Sequence, residues 1–336
     1  MAVKSKEWIA ELLTAIEEEL KAQVYRLPAG EMRDMLTYHM GWTGEGSGPE
    51  AQGKRIRPLL TVLTCTGTGG NWHHALPAAA AVELVHNFSL IHDDIEDYSD
   101  LRRGRKTVWK EWGMPQAVNA GDLMFTLSRI SILDLSQFIP AERVLKAVSC
   151  LDRACESLKY GQFLDLDYET RKHIGVDDYW KMISGKTAAL TSCSTKMGGL
   201  VSGAEQCVLA GLAGYGQHLG LAFQVVDDWL GIWGDATKIG KSTESDLVSG
   251  KKTLPVLFGL EKSGEFAEIW QQGIGVPDAS QALAGMLESL GAQEYTLQQA
   301  EIHTQKALHM LEKAVSDPET LQILKDLTLD LLTRNK

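Results

Sequence analysis

The chain has 336 residues, 44% hydrophobic and 23% charged, which is the balance of a folded globular enzyme and excludes a largely disordered segment. Its net charge of −11 repels nucleic acid and anionic membrane surfaces at long range, so an anionic substrate must be met by local basic groups or metal ions. Cys65, Cys150, Cys155, Cys193 and Cys207 form no CxxC pair, which suits reduced thiols in a cytoplasmic protein and argues against structural zinc.

Trp8, Ile9, Leu12, Leu13, Ile16 and Leu20 recur at helical spacing and predict an opening helix that stops near Pro28. The charges of Lys4, Lys6, Glu7, Glu11, Glu17, Glu18 and Glu19 make it amphipathic, unlike a secretory signal. Residues 41–53, GWTGEGSGPEAQG, predict a flexible loop, and a helix follows from about Pro58. The charge-free run 58–82 is long enough for a membrane span, but Gly69, Gly70, Asn71, His73 and His74 split it, so no transmembrane segment is expected.

The next helix, from about Leu76 to Asp97, carries the apolar stripe Ala81, Leu84, Val85, Phe88, Ile91 and Ile95 and ends in an acidic cluster. Helical periodicity returns over 115–135 and 141–166 after a basic turn. Asp177 and Asp178 suit the start of another helix, one that runs through Lys186 and Thr187 towards Gly198. A long helix over 204–233 contains Gly211, Gly214, Gly216 and Gly220, which allow a neighbour to approach closely. The last third alternates apolar helical stripes with short loops such as 273–278. No stretch shows strand alternation. The expected fold is all-α: one domain over 1–336, a bundle of antiparallel helices around a deep central cavity faced by two acid-bearing helices.

The acidic pairs differ in their surroundings. Asp93 and Asp97 in DDIED put two carboxylates one helical turn apart, where like charges weaken the helix unless a cation holds them. Mg²⁺ is such a cation, commonly bound by one or two carboxylates while substrate phosphates complete its shell. Asp227 and Asp228 lie in FQVVDDWLG among apolar residues, where unpartnered charge is costly. Basic groups answer both clusters. Lys54, Arg55 and Arg57 precede a helix N-terminus suited to phosphate, Arg102 and Arg103 follow the first acidic cluster, and Lys241, Lys251 and Lys252 follow the second. Two diphosphate groups fit this pattern better than nucleic acid does. Glu83-x-x-His86 matches one half of a di-iron carboxylate pair, but a second copy is missing, and His92 reads as a packing residue and not a general base.

GKRIRP, HNFSLIHDDIED, RRGRKTVW, GKT at 185–187, FQVVDD at 223–228, and GK at 240–241 with SDLVSGKKTLP closely resemble, in order, the motifs of the trans-type polyprenyl diphosphate synthases. The resemblance runs from about Gly53 to Pro255. It implies an all-α isoprenoid synthase fold, a homodimer, and Mg²⁺-dependent condensation of isopentenyl diphosphate with an allylic prenyl diphosphate, with three Mg²⁺ ions when substrate is bound. By position, Asp93, Asp97 and Asp227 match the family's metal ligands, and Asp228 supports them. Lys54, Arg57, His86 and Arg103 match the isopentenyl diphosphate site. Arg102, Lys186, Thr187, Gln224, Lys241 and Lys251 match the allylic site, with Lys186, Thr187 and Gln224 closest to the chemistry. One departure stands out: Gly231 occupies the final acidic position of the second motif, and Asp235 need not replace it.

In this family a bulky residue just before the first acidic motif limits elongation. Phe88, with Ser89 beside it, therefore implies a short all-trans product, C20 over C15, with Phe88 as a plain core aromatic the competing reading. Two other functions remain open. A class I terpene cyclase needs only one diphosphate site, which Lys54, Arg57 and the second Asp-Asp pair argue against. A non-catalytic partner subunit of a heteromeric synthase is disfavoured by the intact acidic motifs.

Overall fold

The computed structural model describes residues 3–171, 173–234, 247–248, 250–262, 264–272 and 277–332. Helices dominate, and the described residues divide into two compact units. The first comprises Met1–Arg153, Cys193–Leu212 and Ala314–Leu324; the second comprises Ala154–Ser192, Ala213–Lys313 and Lys325–Lys336. Among the described residues no helix is long and apolar enough to cross a membrane.

In the first unit, α1 (Val3–Tyr25) buries Leu12, Ile16, Leu20 and Val24, the i, i+4 row that its sequence predicts. Two short helices, α2 (Glu31–His39) and α3 (Pro49–Gln52), lead to α4 (Ile56–Gly67). Helix α5 (Leu76–Glu96) begins at the expected residue and is capped by Asp97, whose N–H donates to Asp93 O at 2.8 Å. Its first half, from Pro77 to Val85, is buried on every face, because a run of alanines lets other helices approach from all sides. Its chief neighbour is α7 (Met114–Leu133), reached through the short α6 (Val108–Trp112). Ser131 Oγ donates to Pro77 O at 2.8 Å, and the His92 ring lies where a Cβ on Gly121 would stand, so α5 and α7 are in close contact at both ends.

Between α5 and α6 the chain makes a β-hairpin, Leu101–Arg102 (β1) with Arg105–Lys106 (β2), in antiparallel register Leu101↔Lys106 and Arg102↔Arg105. Its two-residue loop has φ 51° at Arg103 and 74° at Gly104, the positive values a tight hairpin loop uses to match strand twist. Each strand is too short for alternation to be seen in the sequence.

Helices α8 (Ala141–Thr170), α10 (Ala189–Ser202) and α11 (Gln206–Trp233) contribute residues to both units. In the second unit α9 (Val176–Ile183) starts at Gly175, whose N–H donates to Asp178 Oδ2 at 3.1 Å, so that acidic pair serves as a cap. A five-residue π turn, Ser184–Ala188, joins α9 to α10. Later helices are α12 (Leu254–Lys262), α13 (Gly264–Gln272), α14 (Pro277–Ser289), and α15 (Ala292–Ala314) and α16 (Pro318–Leu332), whose residues are likewise divided between the units. Tyr168, Tyr179, Ile183, Ala188, Val225 and Leu257 form part of one core of this unit, and Ile232, Val256, Phe266 and Leu287 part of another.

Candidate functional site

In the first unit the motif residues cluster where α4, α5 and the hairpin meet. Of the three basic residues in KRIR, the middle one is spent on the fold. Arg55 is buried, and its Nε and Nη2 donate to Glu17 at 3.0 and 3.2 Å, while Nη1 donates to Glu83 Oε1 at 2.9 Å. Burial works against the Arg55 cation, but Glu83 and Glu17 overcome it and raise its pKa above the usual range. Glu83 Oε1 also accepts from Asn87 Nδ2 at 2.9 Å. The Glu83-x-x-His86 pair thus divides: the carboxylate belongs to Arg55 and Asn87, while His86 Nε2 stands 3.5 Å from Arg57 Nη1.

Burial first, then Arg57, Arg103 and Arg102, hold the His86 imidazole well below its ordinary pKa, so it is neutral at pH 7. Arg103 donates through Nη1 to Ala51 O at 2.8 Å, and its guanidinium lies against Gly53, where a Cβ would come within 2.6 Å of Nη2. Arg57, His86 and Arg103 therefore lie in one neighbourhood, and Lys54 follows Gly53 in the chain.

Segment 41–53 is tied to the hairpin by Arg105. Its guanidinium donates to Tyr38 O, Thr43 O and Glu45 O at 2.7, 2.6 and 2.9 Å and stacks 4.0 Å from the Tyr38 ring centroid.

At the end of α5, Asp93 is half-buried and Asp97 exposed, whereas Asp94 between them is buried. Arg102 donates to Asp94 Oδ1 through Nε at 2.8 Å, and its Nη2 pairs with the same oxygen at 2.7 Å. Burial raises the Asp94 pKa, and Arg102 offsets part of that rise. Asp93 and Asp97, one turn apart with solvent access and oxygen donors only, fit a hard cation that keeps part of its water shell. Phe88 is buried; its ring meets those of Phe125 and His92 edge-on at 5.1 and 5.6 Å. Ser89 is also buried, and its Oγ turns back to His86 O at 2.8 Å.

The second unit holds Lys186, Thr187, Gln224, Asp227, Asp228 and Lys251. The π turn that carries Lys186 and Thr187 is squeezed between glycines. A Cβ on Gly161 of α8 would fall on the backbone nitrogen of Lys186, and one on Gly220 of α11 would come within 2.6 Å of Ala188 Cα. Asp165, one turn after Gly161, forms an ion pair with Lys186, and Lys251 Nζ lies 3.8 Å from the same carboxylate. Burial raises the Asp165 pKa, but Lys251 and Lys186 outweigh it, and the carboxyl is held below its usual range.

Thr187 Oγ1 donates to Gln224 Oε1 at 2.7 Å, which leaves Gln224 Nε2 to donate to Asp228 Oδ1 at 3.0 Å. Asp228 Oδ2 accepts from the Tyr179 hydroxyl at 2.7 Å and from Leu254 N at 3.2 Å. Burial, with Asp228 beside it, pushes the Tyr179 pKa well up, so the hydroxyl remains a donor. Asp228 is thereby held in a buried network, and Asp227 beside it in the chain is half-buried. Asp165, Tyr179, Lys186, Gln224, Asp228 and Lys251 line part of a cavity of ≈ 340 Å³. Lys241, with Gly240 and Asp235, lies outside the described residues.

Three contributors carry no mark in the sequence. Asp165 sits among other acids in LDLDYE and is distinguished only by lysines far along the chain. Tyr179 looks like a core aromatic, and Glu17 like one more exposed acid of α1. The helix expected to run unbroken through Lys186 and Thr187 is interrupted there by the π turn, which the Gly-Lys-Thr spacing does not signal.

The pattern of the polyprenyl synthetase family matches residues 48–288. A (2E,6E)-farnesyl diphosphate synthase of Mycobacterium tuberculosis is 37% identical over 313 residues, 90% of this chain and 86% of that protein. A geranylgeranyl diphosphate synthase of the same organism is also 37% identical, over 297 residues, 86% of this chain and 84% of that protein. The crystal structure of a polyprenyl synthetase from Streptomyces coelicolor superposes with a TM-score of 0.87 at 36% identity, covering 95% of this chain and 97% of that one. With carboxylates, cations and packing glycines arranged as above, the chain belongs to the polyprenyl synthetase family of short-chain trans-prenyltransferases.

Proposed function

We propose that the protein condenses isopentenyl diphosphate with an allylic prenyl diphosphate, head to tail, to give a short all-trans product, with C20 favoured over C15. The observation that carries this reading is the linked set Lys186–Asp165–Lys251 and Thr187–Gln224–Asp228–Tyr179, which fixes cations, a hydroxyl and an amide around one cavity beside Asp227.

Lys186, Lys251 and Arg102 bind the allylic diphosphate, and Lys54, Arg57, His86 and Arg103 bind isopentenyl diphosphate. Asp93, Asp97 and Asp227 would hold Mg²⁺, three ions with substrate bound, and Asp228 would support them. Bound Mg²⁺ would neutralise charge on the departing diphosphate. As the allylic C–O bond breaks, the lysines and Arg102 meet the same negative charge with preorganised donors. The double bond of isopentenyl diphosphate attacks the resulting carbocation, and a proton leaves to the departing diphosphate, so no strong protein base is required. Thr187 and Gln224, bonded to each other, offer oxygen lone pairs to the cation but no free nucleophile.

Equal identity to a farnesyl and a geranylgeranyl diphosphate synthase leaves product length to local features. Phe88 against Phe125 supports a blocked, short cavity. A homodimer fits the exposed apolar residues Met114, Val118, Ile130 and Leu133 along α7.

The test is incubation of the pure chain with Mg²⁺, isopentenyl diphosphate and C5, C10 or C15 allylic primers, with product lengths measured. C20 product, and a loss of about 10²-fold or more in kcat for Asp93→Ala, are expected. Full turnover by Asp93→Ala overturns the metal assignment. Hydrocarbon formed without isopentenyl diphosphate makes the chain a cyclase, and inactivity of the pure chain makes it a partner subunit.

A further inference from the structure

His39 has no role in the reading above, yet its surroundings are specific. It ends α2, and its side chain enters a second cavity, ≈ 300 Å³, lined also by Asp94, Arg102, Arg103 and Arg105. Two buried polar atoms there make no hydrogen bond: His39 Nε2 and Asp94 Oδ2. Unpaired buried polar atoms are costly, and these two are complementary, since a neutral imidazole protonated at Nε2 donates and a carboxylate oxygen accepts. Burial first, then Arg102, Arg103, Arg55 and Arg105, keep His39 well below its usual pKa and hence neutral. The cavity leaves ≈ 20 Å³ for the centre of a water molecule, and one water requires about 10–15 Å³.

We propose that His39 is a positioning residue that holds Asp94 Oδ2 through one bridging water, so that Oδ1 stays committed to Arg102 and the guanidinium keeps one orientation. Arg102 is the donor assigned to the allylic diphosphate, so the inference rests on that assignment. With His39 removed, Asp94 is free to rotate and Arg102 to follow it. The cost then falls on capture of the allylic diphosphate and not on the chemical step.

The test compares wild type, His39→Ala and His39→Gln in the full chain by steady-state kinetics, by calorimetric binding of inorganic diphosphate with Mg²⁺, and by thermal midpoint. His39→Ala should raise KM for the allylic substrate about tenfold, with kcat and KM for isopentenyl diphosphate within about twofold; the Gln amide, a neutral donor, should recover most of the loss. Diphosphate affinity should fall by the same factor, and this readout survives even if the chain makes no prenyl product. In an Asp94→Asn background His39→Ala should have no further effect. An unchanged allylic KM and diphosphate affinity overturns the proposal. So does a parallel loss of kcat and both KM values with a lowered midpoint that Gln does not restore, and so do additive effects with Asp94→Asn.

Discussion

Arg55→Met separates a residue that builds the site from those that use it. The Arg55 side chain is 4% exposed, makes three hydrogen bonds to Glu17 and Glu83, and places Nη2 3.3 Å from Met40 O. Met preserves most of the volume but leaves Glu83, itself 4% exposed, as a buried carboxylate hydrogen-bonded to Asn87, with the charge of Arg103 nearby. Breaking a buried pair from one side costs about 3–5 kcal/mol. For a chain of 336 residues that is on the order of 4–7 °C in thermal midpoint. Chemical denaturation at pH 7.5 and steady-state kinetics on the folded fraction provide the assay. KM for isopentenyl diphosphate should change by less than about threefold, whereas Arg57→Ala should raise it by about tenfold or more with stability nearly intact. Adding Glu83→Gln to Arg55→Met should recover about 1–2 kcal/mol, because the stranded charge disappears. A loss below about 1 kcal/mol in Arg55→Met, or a KM effect equal to that of Arg57→Ala, would refute this division of labour.

Gly161→Ala should cost about 2–4 kcal/mol and lower kcat, because its methyl meets the backbone of Lys186, with no flexible side chain to yield; a variant with wild-type denaturation midpoint would sink that account. Phe88→Ala should lengthen the product at a stability cost of about 3–5 kcal/mol, with chromatography of dephosphorylated products as the measurement and an unchanged product as the contrary result. Burial, with His218 and Lys306 nearby, pushes His303 from 6.5 down to about 4. A lowered folded-state pKa means stability is present above pH 6.5 and is lost as pH falls towards 4, since only the unfolded imidazole binds the proton there. The gap sets a ceiling of about 3 kcal/mol, and partial exposure screens it to about 1 kcal/mol. His303→Gln should therefore flatten the stability profile between pH 7 and 5, and an unaltered slope would count against it.

Much of this was legible because the relevant signals are local. Helix α5, its boundary at Leu76 and the carboxylates at its end follow from one apolar stripe and one spacing. The cap at Asp178 and the close approach at Gly220 follow from residue types with few other uses. Where the sequence is silent, the cause is distance along the chain. Asp165 acquires its role from Lys186 and Lys251, Arg55 from Glu17 and Glu83, and His39 from a hairpin more than sixty residues later. Nothing within a window around any of them distinguishes a functional side chain from a solvated one. The hairpin itself escaped because its strands have two residues each, and α2 because a single short helix between two turns carries too few apolar repeats.

The π turn at Ser184–Ala188 also constrains how this segment can change over evolutionary time. It is one residue wider than a regular turn, so deleting a single residue would let an unbroken α-helix form, with no loss of helical hydrogen bonds. The same deletion would rotate every later side chain by about 100° about the axis. Ser192 would swing away from Ala213 O, to which its Oγ donates at 2.8 Å. Single insertions and deletions are thus phase errors here, while substitutions that keep the count are not. Lineages descending from this sequence should vary freely in the composition of the turn's outward face and hold its length fixed.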